Sequence, residues 1–188
     1  MPASLYIVAT PIGHLDDMSL RAIDVLRSVN LIAAEDTRHS SKLMRHFDIR
    51  TPLISYHDHS ESSDLEGMLK RLRAGETIAL ISDAGTPLVS DPGYKLVVAC
   101  HQERIPVVPI PGASATITAL SAAGLPTDRF YFEGFLPSKP GQRANRLQAL
   151  TAIEGTLAFF ESPRRVAASL EAMYQGLGER EAARCHEP

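Results

Sequence analysis

Short apolar runs alternate with amphipathic stretches through the first two-thirds of the chain, and this alternation restricts the fold more than any other feature. The apolar runs are typical of buried strands, and the stretches between them repeat apolar residues at helical spacing. The predicted strands are Leu5–Ala9, Asn30–Ala34, Pro52–Tyr56, Thr77–Ile81 and Pro106–Ile110. The predicted helices are Ser19–Ser28, Thr37–Phe47, Ser62–Ala74, Tyr94–Gln102 and Ser114–Ala123. Strands and helices that alternate in this way predict an α/β fold, with a parallel sheet covered by helices on both faces.

The pattern changes near Leu125–Asp128, and we expect a domain boundary there, with residues 1–126 before it and residues 127–188 after it. The second part is predicted to contain the strands Phe130–Leu136 and Thr156–Phe160 and the helices Arg143–Ile153 and Arg165–Leu177, with a polar loop at 138–143. Two strands are few for an independent domain.

Composition excludes several classes of protein. The 188 residues are 44% apolar and 22% charged, which is ordinary for a soluble globular protein. No apolar run approaches the roughly 18 residues of a membrane span, and the first residues do not resemble a signal peptide. The two cysteines, Cys100 and Cys185, are too few for a disulfide framework, so we expect a cytoplasmic protein. A net charge of −3 gives no general indication of nucleic-acid binding, although a local basic face remains compatible with it.

The segment Ile81–Tyr94 (ISDAGTPLVSDPGY) indicates a ligand-binding loop. It follows a predicted buried strand and contains more turn-forming residues than a simple connection needs. In open α/β sheets, ligands bind at the carboxyl ends of the strands. A helix cap formed by Asp91 and Pro92 explains the end of the segment, but not its first half. The binding candidates are therefore Ser82, Asp83, Ala84, Gly85 and Thr86.

Two further loops leave carboxyl ends of predicted parallel strands, so the topology places them at the same edge of the sheet. They are Ala9–Asp17, which contains Pro11, and Pro111–Ala115. Small residues in the second loop would let a ligand approach the backbone, or would only let the next helix pack closely. Its candidates are Gly112, Ala113, Ser114 and Ala115. The dinucleotide-binding and P-loop motifs are absent from the sequence.

Acidic residues follow two other strands. Glu35 and Asp36 precede Thr37 and Arg38, where a helix cap is the simpler explanation for one of the acids. Glu161 ends the last predicted strand. Basic residues near these acids could contact phosphate, or could form an ordinary solvated helix face.

His57 and His59 raise the question of a metal site. No C-x-x-C or H-E-x-x-H motif accompanies them. Two loop histidines without such partners are more often hydrogen-bonding surface residues, so no metal is predicted.

The motifs together resemble one family, the small-subunit ribosomal RNA cytidine-2′-O-methyltransferases of the tetrapyrrole methylase superfamily. The resemblance is carried by VATPIGHLDDMSLRA, AEDTRHSSKL, SYHDHSE, ALISDAGTPLVSDPGY, VVPIPGASA, ALSAAGLPTDRFYFEGFLP and FFESPRR. It implies two α/β domains with S-adenosylmethionine bound between them, a cytidine ribose in small-subunit ribosomal RNA as the substrate, and a homodimer. His14, Ser60 and Arg164 depart modestly from the family pattern. The ending AARCHEP departs more, since the family continues with further strands, so we expect the second domain, a mixed sheet in the family, to be cut short here.

Under this resemblance each candidate residue has an expected role. The proton acceptor would be one of three unranked carboxylates, Glu35, Asp36 and Glu161. The three loops would bind S-adenosylmethionine. Contacts to RNA are expected from Arg38, Lys42, Arg143, Arg164 and Arg165. Two alternatives stay open: methylation of a tetrapyrrole carbon, and a shortened chain that binds cofactor or RNA without turnover.

Overall fold

Five parallel strands form the sheet of the first of two units into which the chain divides. The strands are β1 (Ser4–Val8), β2 (Leu31–Ala34), β3 (Leu53–Ser55), β4 (Thr77–Ile81) and β5 (Val107–Ile110). Their order across the sheet is β3-β2-β4-β1-β5, and every pairing is parallel. Because the strands are parallel, the carboxyl ends of all five lie at one edge, as the sequence predicts. The computed structural model describes residues 3–57 and 62–186.

Helices pack on both faces of this sheet. They are α1 (Leu20–Ser28), α2 (Thr37–His46), α3 (Ser62–Arg73) and α4 (Tyr94–Gln102), with a short 3-10 turn at Leu15–Asp17. Residues of α1 and α2 share one apolar cluster with alternate residues of the strands, and residues of α3 and α4 share another. Every residue of β2 and β4 is buried, which explains their continuous apolar sequences. The predicted α/β class is confirmed.

The second unit contains a two-stranded parallel sheet and three helices among the described residues. Its elements are α5 (Ala115–Ala122), β6 (Phe130–Phe135), α6 (Pro140–Leu150), β7 (Thr156–Phe160) and α7 (Val166–Leu177). Leu136, Leu147 and Leu150 form its small core, against which apolar residues of β7 and α7 pack. Both strands run in the same direction, so these described residues contain only a parallel part of the mixed sheet that the resemblance implies.

Two boundaries differ from the sequence predictions. The division between units falls after Ser114 rather than at residue 126, because α5 packs against β7 and so goes with the second unit. The predicted loop at 138–143 was wrong from residue 140 onward, since α6 begins at Pro140. Proline suits the first turn of a helix, where its missing N–H has no helical partner.

No helix within residues 3–57 and 62–186 is long and apolar enough to cross a membrane.

The start of α4 depends on a glycine. Gly93 has φ +126°, and a Cβ atom there would lie 2.5 Å from Leu80 Cδ2 in the buried strand β4. We therefore expect Gly93→Ala to lower the free energy of unfolding by about 1–3 kcal/mol, through overpacking and backbone strain. Gly67→Ala is the matched control, because Gly67 lies within α3 with open space around it, and alanine should raise the stability by about 0.5–1 kcal/mol there. Urea titration of both variants measures the difference. Equal effects would contradict this account of Gly93.

Candidate active site

A pair of backbone hydrogen bonds joins the loops that follow β1 and β4. The amide of Thr10 donates to the Gly85 carbonyl over 2.9 Å, and the amide of Gly85 donates to the Thr10 carbonyl over 3.0 Å. The buried hydroxyl of Thr10 also donates to the carbonyl of Ser82. Gly85 has φ +81°, a conformation that side-chain-bearing residues rarely adopt, and Ile12 lies against the position of its missing Cβ. The two loops are therefore held together by their backbones.

The loop that follows β5 is joined to the same assembly. The Thr86 hydroxyl donates to the carbonyl of Ala113 over 3.1 Å. Gly112 lies close to β1, since a Cβ atom there would come within 3.0 Å of the Ala9 Cβ. The structure thus brings together nine of the ten predicted cofactor residues, namely Pro11, Ser82, Asp83, Ala84, Gly85, Thr86, Gly112, Ala113 and Ser114. The tenth, Ala115, is the first residue of α5.

The connection between β4 and α4 is strained. Leu88 and Ser90 have φ of +73° and +67°, which are unfavourable for residues other than glycine. The side chain of Leu88 packs against the apolar cluster that contains α3 and α4, and this packing helps to hold the unfavourable backbone in place.

Asp91 corrects one interpretation of the sequence. The cap assigned to Asp91 and Pro92 was wrong, because Gly93 is the N-cap residue of α4 and the helix begins at Tyr94. The Asp91 carboxylate is instead hydrogen-bonded to Ser82 and partly buried, and this burial raises the pKa of its carboxyl group. Asp91 is thus a residue of the sheet edge that the sequence analysis missed. The only sequence signal was its position in the same strand-to-helix connection as Asp83.

Asp36 caps α2 and links it to the loop after β4. Its carboxylate accepts from the Arg38 amide over 2.8 Å and from the Arg38 guanidinium through both oxygens. These hydrogen bonds lower the pKa of Asp36 to about 2. Its own amide donates to the Asp83 carboxylate over 3.1 Å. The capping interpretation of Asp36 is confirmed.

Glu35 has the opposite environment. Burial raises the pKa of its carboxyl group, and the nearby carboxylates of Asp91 and Asp83 raise it further. A hydrogen bond from the Asp83 backbone and the charge of His57 act in the opposite direction. Two adjacent acids, Glu35 and Asp36, therefore have pKa values shifted apart, a pattern found where one carboxyl group exchanges protons and its neighbour stays ionised.

These groups line an open depression of about 480 Å³. Its lining residues are Glu35, Asp36, Thr37, Arg38, Ser55, His57 and Asp83. The depression brings together two of the predicted catalytic acids, one predicted cofactor residue and one predicted RNA contact. Ser55 and His57 were not predicted to belong to it.

The third predicted acid, Glu161, lies in the second unit and is fully engaged there. One carboxylate oxygen accepts from the Ser162 amide over 2.8 Å. The other accepts from the Ser169 hydroxyl over 2.6 Å and lies 3.3 Å from the Arg165 guanidinium. Arg165 also donates to the carbonyl of Leu136. This arrangement fixes the start of α7 to the end of β6.

The remaining basic candidates are placed differently. Arg164 is exposed, and so is Lys42 on α2. Arg143 is partly buried in α6, and its Nε atom has no hydrogen-bond partner among the described residues. His59 lies outside the described residues, and within them no group of three metal-binding side chains occurs.

Comparisons with known proteins agree with this architecture. Residues 4–187 match the family model described as Tetrapyrrole (Corrin/Porphyrin) Methylases. The chain is 54% identical over 175 residues to a protein from Synechocystis named ribosomal RNA small subunit methyltransferase I, and 55% identical over 175 residues to one of the same name from Escherichia coli O157:H7. Each alignment covers 93% of this chain but only 63% and 61% of the relative, so the chain spans about three-fifths of their length.

Solved structures show the same fold at low sequence identity. A cobalt precorrin-4 methyltransferase is similar with a TM-score of 0.68 and 16% identity, and the match covers 93% of this chain and 75% of that one. A uroporphyrin-III C-methyl transferase from Thermus thermophilus, complexed with S-adenyl homocysteine, has a TM-score of 0.62 and 20% identity, with coverage of 94% and 78%.

The raised pKa of Glu35 gives a testable dependence of stability on pH. When the pKa of a carboxyl group is higher in the folded state than in the unfolded state, the folded state disfavours the ionised form. The free energy of unfolding therefore falls as the pH rises through the folded-state pKa. We expect Glu35→Gln to increase the free energy of unfolding at pH 7 by less than about 1 kcal/mol, because solvent screens this partly exposed group. The gain should disappear below pH 4.

Asp24→Asn is the control for this prediction, since Asp24 is an exposed carboxylate on α1. It should leave the stability nearly unchanged at both pH values. Denaturant titrations at pH 4 and pH 7 make the comparison. A destabilising effect of Glu35→Gln at pH 7 would show that the charged form is favoured in the folded protein.

Proposed function

The chain belongs to the tetrapyrrole methylase family, and on that premise we propose that it methylates the 2′-hydroxyl of a cytidine in small-subunit ribosomal RNA, with S-adenosylmethionine as the methyl donor. The observation that carries this proposal is the identity of about 54% to relatives named for small-subunit ribosomal RNA methylation. The tetrapyrrole-modifying structures share the fold but have at most 20% identity, so the RNA substrate is favoured over a tetrapyrrole. A homodimer in the cytoplasm is part of the same proposal.

The residues at the sheet edge fit S-adenosylmethionine chemically. The carboxylates of Glu35, Asp83 and Asp91 concentrate negative charge, which suits a ligand that carries a positively charged sulfur. Gly112 and Ala84 are exposed and have little or no side chain, so a ligand can come close to the backbone there. When bound, S-adenosylmethionine would supply an electrophilic methyl group. The loops joined through Thr10 and Thr86 would hold their own backbone groups fixed around it, and such fixed positioning provides much of the acceleration in a displacement reaction.

The reaction also needs a proton acceptor. A ribose hydroxyl that gains a methyl group must lose its proton, and a carboxylate within hydrogen-bond reach can take it. A base works best when its pKa lies near the working pH. Burial raises the pKa of Glu35 in this depression, so we propose that Glu35 takes the proton on its carboxylate.

The other two acids are less suited to this role. The hydrogen bonds from Arg38 lower the pKa of Asp36 to about 2, which makes Asp36 a weak base. Both oxygens of Glu161 already accept hydrogen bonds that fix the start of α7. We therefore propose that Asp36 orients α2 and that Glu161 has a structural role in the second unit.

For RNA binding, we propose contacts from Arg38, Lys42, Arg143, Arg164 and Arg165. Arg164, Lys42 and Arg143 form no ion pair or hydrogen bond to a carboxylate among the described residues, so they can pair with phosphate without breaking one, and of these Arg164 and Lys42 are the exposed ones. To bind phosphate, Arg38 would have to break its ion pair with Asp36, and Arg165 would have to break its ion pair with Glu161.

A methyl-transfer assay tests the proposed reaction. Small ribosomal subunits from cells that lack the modification are incubated with the chain and methyl-labelled S-adenosylmethionine, and nucleosides are analysed by mass spectrometry. We expect labelled 2′-O-methylcytidine and a loss of about 10²–10⁴-fold in kcat for Glu35→Gln. Asp36→Asn is the control and should reduce kcat less. Absence of label from the RNA nucleosides, with or without bound cofactor, would contradict the proposal.

The RNA contacts predict a change in salt dependence. Each phosphate that is neutralised should contribute about 0.7–0.9 to the slope of log affinity against log salt concentration. Arg164→Gln and Lys42→Gln should each make the slope shallower by that amount, as measured by filter binding to the ribosomal RNA. Lys70→Gln on α3 is the control and should leave the slope unchanged. An unchanged slope in the first two variants would identify their side chains as ordinary solvated residues.

A further inference from the structure

Two polar residues that the proposed reaction does not yet use, Ser55 and His57, lie beside Glu35. Strands β2 and β3 are parallel neighbours, with Ala34 opposite Ser55. The amide of Tyr56 donates to the Ala34 carbonyl over 2.8 Å, which continues the ladder beyond β3. The residues that follow the two strands are therefore held side by side. Ser55, His57 and Glu35 all line the depression.

The Ser55 hydroxyl connects the other two residues. It donates to the backbone carbonyl of Glu35 over 3.4 Å, and its oxygen lies 2.9 Å from His57 Nε2. A hydroxyl group has only one hydrogen to donate. When that hydrogen points to Glu35, the serine oxygen can only accept from His57, so the imidazole carries a proton on Nε2. Ser55 thereby fixes the orientation of the ring beside Glu35.

We propose that His57 is a positioning residue for the methyl transfer: held by Ser55, its imidazolium keeps the Glu35 carboxylate ionised and ready to take the ribose proton. This inference rests on the proposed function, and it assigns to His57 a role other than metal binding.

The charges around Glu35 explain why such a group is needed. Burial raises the pKa of Glu35, and the carboxylates of Asp91 and Asp83, in the segment after β4, raise it further. The start of α2 contributes Asp36 and Arg38, which neutralise each other. Among the described groups whose charge acts on the pKa of Glu35, His57 is the one that lowers it.

Nuclear magnetic resonance tests this without turnover. The carboxyl carbon of Glu35, assigned by comparison with Glu35→Gln, is followed through a pH titration of the full chain. An imidazole is cationic at the acid pH at which a carboxyl group titrates. We expect His57→Gln to raise the Glu35 midpoint by about 0.5 pH unit, allowing for solvent screening. Ser55→Ala should raise it less, and His57→Lys, which restores a positive charge, should return it towards the wild-type value.

His101→Gln on α4 is the control and should leave the midpoint unchanged. In the methyl-transfer assay, the acid limb of the pH profile of kcat should move upward in His57→Gln by the same amount as the midpoint, because Glu35 must be ionised to accept a proton. An unchanged Glu35 midpoint in His57→Gln would overturn the role of His57, even in an active enzyme. Absence of methyl transfer by the wild-type chain would instead count against the proposed function, whatever the midpoint shows.

Discussion

The two backbone hydrogen bonds between Thr10 and Gly85 are the contact on which the rest of the candidate site depends. They join the loop after β1 to the loop after β4, two strands that are already neighbours in the sheet. From this junction, Thr86 reaches the loop after β5, and Asp83 reaches the start of α2. Four strand ends are thus fixed relative to one another by hydrogen bonds that leave little freedom to the intervening residues. A site built in this way is preorganised by the sheet rather than by flexible loops.

Several acidic groups lie near the same junction, and the pKa values of two of them are shifted in opposite directions. Asp36 is paired with Arg38 and strongly favours its ionised form. Glu35, one residue earlier, is partly buried beside Asp83 and Asp91 and is less easily ionised. Such an arrangement lowers stability at neutral pH, which is a common cost of functional sites. The difference between adjacent acids is the physical basis for proposing Glu35 as the proton acceptor.

Much of the fold could be predicted from the sequence, because the strands of the first unit are short apolar runs and their helices have clear apolar faces. Most element ends shifted by only one to three residues, as at β1, where the strand ends at Val8 rather than Ala9. The predicted cap of α4 was wrong, because a contact with a distant segment determines where this helix begins. Gly93, not Asp91, caps α4, because the chain must pass close to Leu80 there, and no local pattern reveals that approach.

The candidate site was only partly predictable for the same reason. Strand ends identified the three loops and the Glu35–Asp36 pair, since parallel strands place them at one edge. The sequence could not separate Glu35 from Asp36, because their pKa values depend on partners that lie in other segments. His57 is exposed and hydrogen-bonded, as the sequence predicts, but its relation to Glu35 follows from the pairing of β2 with β3 and not from its neighbours in sequence.

The central claim is that the joined loops at the carboxyl edge of the sheet bind S-adenosylmethionine. Amide chemical shifts recorded while S-adenosylhomocysteine is added to the labelled chain test it most directly, because each loop reports separately. The account predicts saturable shifts at the amides of Thr10, Gly85 and Gly112, with smaller changes along α3. Shifts confined to other parts of the chain, or no shifts at millimolar ligand, would contradict it.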